Sequence, residues 1–135
     1  MQHVTRTVFC VGASSLVREV SAVAGPQFRV RWVADLAALR RAIGGSPIDD
    51  VAACVVGRGA DGSVTLAFVR AMLPAARRVV VSPPCEPKVI DELIETGNAT
   101  AVLCRPLHPA TLDAALRPAM MPLRKSPAQR AAMAS

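Results

Sequence analysis

The fold is decided by residues 51–56, Val51-Ala52-Ala53-Cys54-Val55-Val56, the most continuous β-forming run in the chain. A short run without polar residues is typical of a strand covered on both faces, since a strand with one wet face alternates apolar and polar side chains. Gly57 ends the run. A helix follows, with apolar positions at Leu66, Val69, Met72 and Leu73. The sequence therefore predicts a central strand of a parallel sheet and a helix that packs on it.

The same order, an apolar run and then an amphipathic helix, repeats on both sides of this unit. The other predicted strands are residues 8–11, 28–33, 79–81 and 101–104, and the other helices begin near Ser14, Asp35, Lys88 and Pro109. Parallel strands need helical crossovers, so we expect helices on both faces of the sheet. The predicted fold is α/β, a three-layer flavodoxin-like (βα)5 with a parallel five-stranded sheet in the order 2-1-3-4-5.

Local signals predict how several elements begin or lie in the sheet. Ser14 or Ser15 is expected to cap the first helix, and Asp35 the second, because their side-chain oxygens accept hydrogen bonds from unpaired helical N–H groups. In the second strand, apolar residues alternate with arginines: Phe28, Val30 and Trp32 with Arg29 and Arg31. This alternation predicts a half-covered strand at the edge of the sheet.

Composition and charge limit the function classes. The chain has 135 residues, a formal net charge of +6, 52% hydrophobic residues and only 3% aromatic residues. A basic balance is compatible with nucleic acid or an anionic membrane. The arginines are spread along the chain and none of their clusters is interleaved with aromatic residues, so we interpret them as solvated faces. Three of the four cysteines (Cys10, Cys54, Cys104) lie in apolar runs and are expected to act as small core residues.

Segments outside the repeated units are interpreted from composition. No apolar run approaches the roughly 20 residues that cross a bilayer, and the N-terminus lacks the layout of a signal peptide. We therefore expect a cytoplasmic protein with no membrane contact. Residues 118–135 contain prolines, alanines and basic residues, which predicts a flexible basic tail after a single folded domain.

Three stretches resemble, by their order and spacing along the chain, the receiver domains of bacterial response regulators, the CheY-like superfamily. The sharpest is Val102-Leu103-Cys104-Arg105-Pro106-Leu107, followed by Pro109 and a leucine-bearing helix. The other two are residues 31–35 and the pair Asp61-Gly62 before the third helix. The resemblance implies that residues 1–117 form a receiver-like domain. It also implies a cis Arg105–Pro106 bond, with Arg105 directed to the crevice near Ser82.

The residues that accept a phosphoryl group in that family are replaced in this chain. Gly12 and Ala13 stand where the acidic pair is expected, and Val56 and Gly57 where the acceptor aspartate is expected. What remains of the degenerate phosphorylation site is Ser82 at the hydroxyl position and Arg105 at the lysine position. Val102 stands where the family has an aromatic switch residue. We therefore expect a pseudo-receiver without catalytic residues, metal or cofactor.

The resemblance implies a protein-interaction module that is not an enzyme. Receivers communicate through the fourth helix, fifth strand and fifth helix. The fourth helix is predicted over residues 88–96, with Val89, Ile90, Leu93 and Ile94 as its apolar positions. We expect the partner-binding residues to be Lys88, Val89, Glu92, Leu93, Val102 and Arg117, some of the apolar ones exposed. The expected partners are a signalling or output protein and a second copy of the chain, with nucleic acid reached only through a separate output domain.

Two alternatives use the crevice at the carboxyl ends of the strands. The first is a sensor of a small anion or a nucleotide, in which Gly12, Ser14, Ser15, Ser82, Arg58 and Arg105 line a neutral-to-basic pocket. The second is a nucleotide-dependent enzyme, since residues 57–62 spell G-x-G-x-x-G. This loop follows the third strand and carries Asp61, which would repel phosphates, and the chain offers no catalytic constellation beside it.

Overall fold

The computed structural model describes residues 6–44, 51–57, 60–83, 87–95 and 99–117, apart from the side chains of residues 60, 61, 89, 90 and 93. The strands are β1 (Arg6–Val11), β2 (Phe28–Val33), β3 (Val51–Gly57), β4 (Arg77–Ser82) and β5 (Ala101–Cys104). The helices are α1 (Ser14–Val23), α2 (Leu36–Gly44), α3 (Ala60–Met72), α4 (Pro87–Glu95) and α5 (Pro109–Leu116). The predicted tail, Cys85 and the predicted end of the fourth helix at Thr96 lie outside the described residues.

The sheet confirms the predicted topology. Its five strands are parallel, in the order β2-β1-β3-β4-β5, with β2 at one edge. The run that decides the fold pairs with β1 on one side and β4 on the other, and residues 51–56 are all buried. Because the strands are parallel, all their carboxyl ends meet at one edge, where a ligand site is expected.

Two cores fill the space between the sheet and its helices. One contains Val8, Val55 and Val79 with α1 and α5, and the other contains Phe9, Val56 and Val80 with α2 and α3. These cores lie on opposite faces because successive strand residues point to opposite sides. The α4 crossover runs in the same direction across the sheet as the α3 crossover, so the right-handed rule puts both helices on one face.

Helix starts follow the predicted signals only in part. The side chain of Asp35 caps α2, with its Oδ1 accepting a hydrogen bond from the Ala38 N–H at 2.9 Å. The prediction that a serine caps α1 was wrong, because the N-cap residue is Ala13 and no side chain caps the helix. Both serines lie inside the first turn because Gly12, at φ +121°, already turns the chain into the helix. Pro109 stands in the first turn of α5, as predicted.

Two apolar residues assigned to covered positions, Met72 and Trp32, are exposed instead. Met72 is 55% exposed in the last turn of α3. Ile94 is 42% exposed on α4, where some of the apolar positions are expected to be exposed. Trp32, near the carboxyl end of edge strand β2, is 48% exposed, whereas Phe28 at the start of the same strand is buried. Val102 is half-buried and packs against the core on the α3 side. The spacing of apolar residues therefore identifies a helix or a strand, but it does not determine how much of the surface at each end is buried.

The cysteines at apolar positions behave as core residues. Cys10 and Cys54 are buried, and burial raises the pKa of each thiol to about 12. At neutral pH both are therefore thiols with little nucleophilic character. None of the described helices is long and apolar enough to cross a bilayer.

Candidate functional site

A cavity of about 710 Å³ opens at the carboxyl ends of β1, β2 and β3. It is lined by five of the six residues predicted for the degenerate phosphorylation site: Gly12, Ala13, Val56, Gly57 and Arg105. Most of the remaining lining is apolar and comes from the first turns of α1, α2 and α3. The fold therefore brings together residues that are up to 93 positions apart in the chain, as the numbers of Gly12 and Arg105 show.

Backbone geometry at Gly12 shapes one wall of this cavity. Gly12 donates its N–H to the Val33 carbonyl at 3.0 Å and accepts a 2.7 Å hydrogen bond from the Trp32 Nε1. Its φ of +121° belongs to the region that side chains rarely adopt. The position at which the resemblance implies a carboxylate therefore holds a glycine whose carbonyl accepts the hydrogen bond from Trp32.

Ser82 lies at the end of β4 and is completely buried. Its hydroxyl donates to the Pro83 carbonyl at 2.8 Å, and its own carbonyl accepts the Arg105 N–H at 3.0 Å. The backbone therefore holds Ser82 and Arg105 side by side, as the resemblance implies. Of the six residues predicted for the degenerate phosphorylation site, Ser82 is the one that does not line the cavity.

The guanidinium of Arg105 is bound by a carboxylate of the same chain. Its Nε donates to Glu19 Oε2 at 2.7 Å and its Nη2 to Oε1 at 2.8 Å, a bidentate pair across 86 residues. The hydrogen bond from Arg105 holds the pKa of Glu19 below its usual value, while the same bond raises the pKa of Arg105. Both side chains are about one-third exposed, so water screens the pair. The cation of the site is thus neutralised locally.

Carboxylates are scarce around the cavity. Asp35 lines it, but Oδ1 of this residue caps α2. Within the described part of the chain, no group of three or more His, Cys, Asp or Glu residues could hold a metal ion. The side chain of Asp61 and the residue Arg58 lie outside the described residues. Ser15 lines the cavity and Ser14 is exposed beside it.

The cis peptide that the resemblance implies between Arg105 and Pro106 is present. Arg105 also lines the crevice, as expected, but its side chain turns to Glu19 on α1 instead of to the Ser82 hydroxyl. Sequence reasoning missed Glu19, which occupies an ordinary polar position on an amphipathic helix. It also missed Trp32, whose indole reaches the Gly12 carbonyl although the pattern placed it in a covered row.

The predicted partner-binding residues are distributed over α4, β5 and α5. Lys88 and Glu92 are exposed on α4, Val102 is half-buried, and Arg117 is exposed just after α5. Arg117 donates to Asp113 Oδ2 at 2.7 Å, and Asp113 Oδ1 accepts from Gln27. For Val89 and Leu93 the backbone lies in α4, and their side chains lie outside the described residues.

No protein-family model matches the chain, and no curated protein matches it. Solved structures do. The DrrB receiver domain activated by BeF3 matches at 13% identity and a TM-score of 0.64, over 82% of this chain and 92% of that one. CheY4 of Vibrio cholerae matches at 18% identity and a TM-score of 0.61, over 80% and 92% of the two chains. A Burkholderia pseudomallei protein provisionally assigned to pilus assembly matches at 18% identity and a TM-score of 0.61, over 86% and 90%.

The chain has the response-regulator receiver fold. The strand order and the five strand–helix units agree with it. The comparisons establish the fold, and the chemistry of the cavity follows from the residues that line it.

Proposed function

We propose that the chain is a cytoplasmic pseudo-receiver that is not phosphorylated and acts as a signalling or localisation module by binding proteins. The observation that carries this proposal is the bidentate pair between Arg105 and Glu19. The one cation expected to meet a phosphoryl group is engaged by a carboxylate from α1. The acceptor positions themselves hold Val56 and Gly57.

Phosphoryl transfer makes demands that these residues do not meet. The family mechanism needs a carboxylate nucleophile, and Mg²⁺ held by oxygen ligands to offset the charge of the incoming group. Neither Val56 nor Gly57 has a side-chain oxygen, and Gly12 and Ala13 supply none on the metal side. Glu19 also occupies the Nε–Nη2 edge of Arg105 and neutralises its charge, so an incoming phosphoryl group would have only the remaining Nη hydrogens of a compensated cation.

Phosphorylation is tested directly by incubating the chain with acetyl phosphate and Mg²⁺, and separately with beryllofluoride and Mg²⁺. We expect no gain in intact mass and no shift of amide resonances around Gly57, since no acceptor is present. The DrrB receiver domain, described as BeF3-activated, is the positive control for the beryllofluoride arm. A stable phospho-adduct within residues 51–62 would contradict the proposal.

The proposed docking surface for a partner protein consists of α4, β5 and α5. Lys88, Glu92 and Arg117 are its exposed charges, and Ile94 is an exposed apolar residue between them in sequence. An apolar centre with a charged rim is the usual composition of a protein interface. Self-association through this same surface stays a prediction.

The docking surface is tested with charge reversals at its rim, Glu92→Arg together with Arg117→Glu. We expect the affinity for a bound protein to fall about tenfold, since each rim charge contributes on the order of 1 kcal/mol. The measurement is capture from the host by the immobilised full chain, followed by titration of the captured protein. Arg18→Glu on the exposed side of α1 is the matched control and should bind normally. Equal binding by all three forms would place the docking surface elsewhere.

A small-ligand sensor is the second candidate function, and the cavity favours it. A volume of about 710 Å³ lies within the range of small-molecule sites. Because Glu19 neutralises Arg105 and the other lining is largely apolar, the cavity suits an uncharged ligand better than the anion suggested by the sequence. Ser82 does not contribute to the lining.

A further inference from the structure

Helix α3 turns apolar side chains outward, although it lies in the outer layer of the fold. Leu66 and Val69 are buried against the sheet, which accounts for its inner side. Away from the sheet, Val64 is 59% exposed near the start of the helix, where it also lines the cavity, and Met72 is 55% exposed at its last residue. The other exposed residues of α3 are Ser63, Ala67, Arg70 and Ala71. The solvent side of a surface helix ordinarily carries charged and polar residues. The exposed side of α3 instead has a composition that is typical of a buried surface.

The helices on the two sides of α3 carry opposite charges. On α2, Arg40 and Arg41 are exposed, and the Arg40 guanidinium lies over the Phe68 ring of α3 at 5.8 Å from its centroid. On α4, Asp91, Glu92 and Glu95 are exposed together with the single basic residue Lys88. The three helices share one face of the sheet. This face is therefore basic at α2, largely apolar at α3 apart from Ser63 and Arg70, and mainly acidic at α4, and we call it the α3 face.

Two copies of this face can bring opposite charges together, but only if a two-fold axis of one particular direction relates them. A two-fold axis parallel to α3 puts α3 against α3 of a second copy and puts α2 of each copy against α4 of the other. A two-fold axis across the helices would instead oppose α2 to α2 and α4 to α4, which sets like charges against each other. Like charges across an interface disfavour an arrangement, and opposite charges fix its register.

We propose that a second copy of this chain binds the α3 face, in a symmetric dimer with parallel α3 helices and with α2 of each copy opposite α4 of the other. Val64 and Met72 are the exposed apolar residues of its middle helix, near the two ends of α3, and Arg40, Arg41, Asp91 and Glu95 form its charged edges. The 13 residues of α3 span about 20 Å and the nine residues of α2 and of α4 about 13 Å each, so three helices about 10 Å apart cover roughly 500 Å². That footprint is of the same order as the ~800 Å² per partner of a standard interface.

This inference rests on the proposed interaction function and deepens it by naming one partner, a second copy that binds the α3 face instead of α4–β5–α5; α4 borders both surfaces. The two can fail separately. A wild-type chain that stays monomeric but captures a partner protein contradicts only the α3-face dimer, whereas unchanged capture by the Glu92 and Arg117 reversals contradicts only the docking surface.

The apolar middle helix is tested with the full chain by sedimentation equilibrium over a range of concentrations. We expect the wild-type chain to be dimeric and Val64→Asp with Met72→Glu to weaken the dimer at least about a hundredfold, since four charges would meet between the two α3 helices. Both side chains are exposed, and circular dichroism checks that the variant folds. Ser21→Asp, on the exposed side of α1 on the opposite face, is the control and should dimerise normally. A wild-type chain that stays monomeric overturns the proposal, as does an unaffected double variant.

The orientation is tested by exchanging the charges of the two edges. One variant carries Arg40→Glu and Arg41→Glu, and the other carries Asp91→Arg and Glu95→Arg. In the homodimer of either variant, like charges face each other at both edges. We therefore expect the dimerisation affinity of each variant alone to fall at least about tenfold. Mixed in equal amounts, the two variants regain opposite charges at both edges and should form a one-to-one heterodimer close to wild-type affinity. Two variants that fail to pair when mixed, while the wild-type chain dimerises, would overturn this arrangement.

Discussion

Phe9→Ala is expected to lower the free energy of unfolding by about 3–5 kcal/mol. Phe9 is completely buried in the core between the sheet and α2 and α3. Aromatic residues make up only 3% of the chain, so the valines and alanines around Phe9 are too small to refill the space it leaves. Removal of the ring also removes the contact with Arg31, whose guanidinium lies 5.4 Å from the ring centroid. Urea unfolding followed by circular dichroism measures the change.

Two companion variants keep this result interpretable. Phe68→Ala removes the same ring from a partly exposed position on α3 and should cost less, because part of that ring is already in water. Phe9→Leu keeps most of the volume and should cost about 1 kcal/mol, so it still gives a measurement if Phe9→Ala does not fold. A Phe9→Ala cost no larger than that of Phe68→Ala would show that the core on this face is loosely packed.

The fold was predictable because its signals are local. Residues 51–56 form a run that only a doubly covered strand accommodates, and each neighbouring unit repeats the same order of strand and helix. The handedness of parallel crossovers then leaves few sheet orders to consider. The observed order, with Phe28–Val33 at the edge, follows from rules that need no long-range information.

The site was predictable only in its list of replaced residues. Gly12, Ala13, Val56, Gly57 and Arg105 could be placed at one edge from the strand ends, and they do line one cavity. The partner that neutralises Arg105 could not be predicted, because Glu19 lies 86 residues away on a different element. Nothing in the spacing of a polar helix position indicates which distant side chain will reach it.

The outward side of α3 was missed for a different physical reason. Its apolar residues occur all around the helix, so the sequence period does not separate a covered side from an exposed one. Met72 was assigned to the core on this basis and is exposed. The charge order across α2, α3 and α4 is a property of the assembled face. It becomes visible only when the crossovers place the three helices side by side.

Gly62→Ala is expected to destabilise the chain by about 1–3 kcal/mol, the usual cost of overpacking. A Cβ at Gly62 would collide with the Gly57 carbonyl oxygen, a backbone atom at the end of β3, and would press on the Val56 side chain. Helix propensity alone predicts the opposite sign, since alanine in a helix is favoured over glycine by about 1 kcal/mol. The collision outweighs this gain because the atom that must move belongs to the central strand. Thermal and urea unfolding measure the difference.

Gly57→Ala is the matched control from the same G-x-G-x-x-G stretch. A Cβ at Gly57 meets no atom within 4 Å, so this variant should be neutral or more stable by up to about 1 kcal/mol through the lower entropy of its unfolded chain. Comparison of the two variants therefore distinguishes two explanations for the glycines of this stretch, close packing and phosphate binding. A packing role requires Gly62 alone to be sensitive, because α3 approaches β3 there. If both variants unfold alike, or if Gly62→Ala gains stability, close packing of α3 on β3 does not account for Gly62.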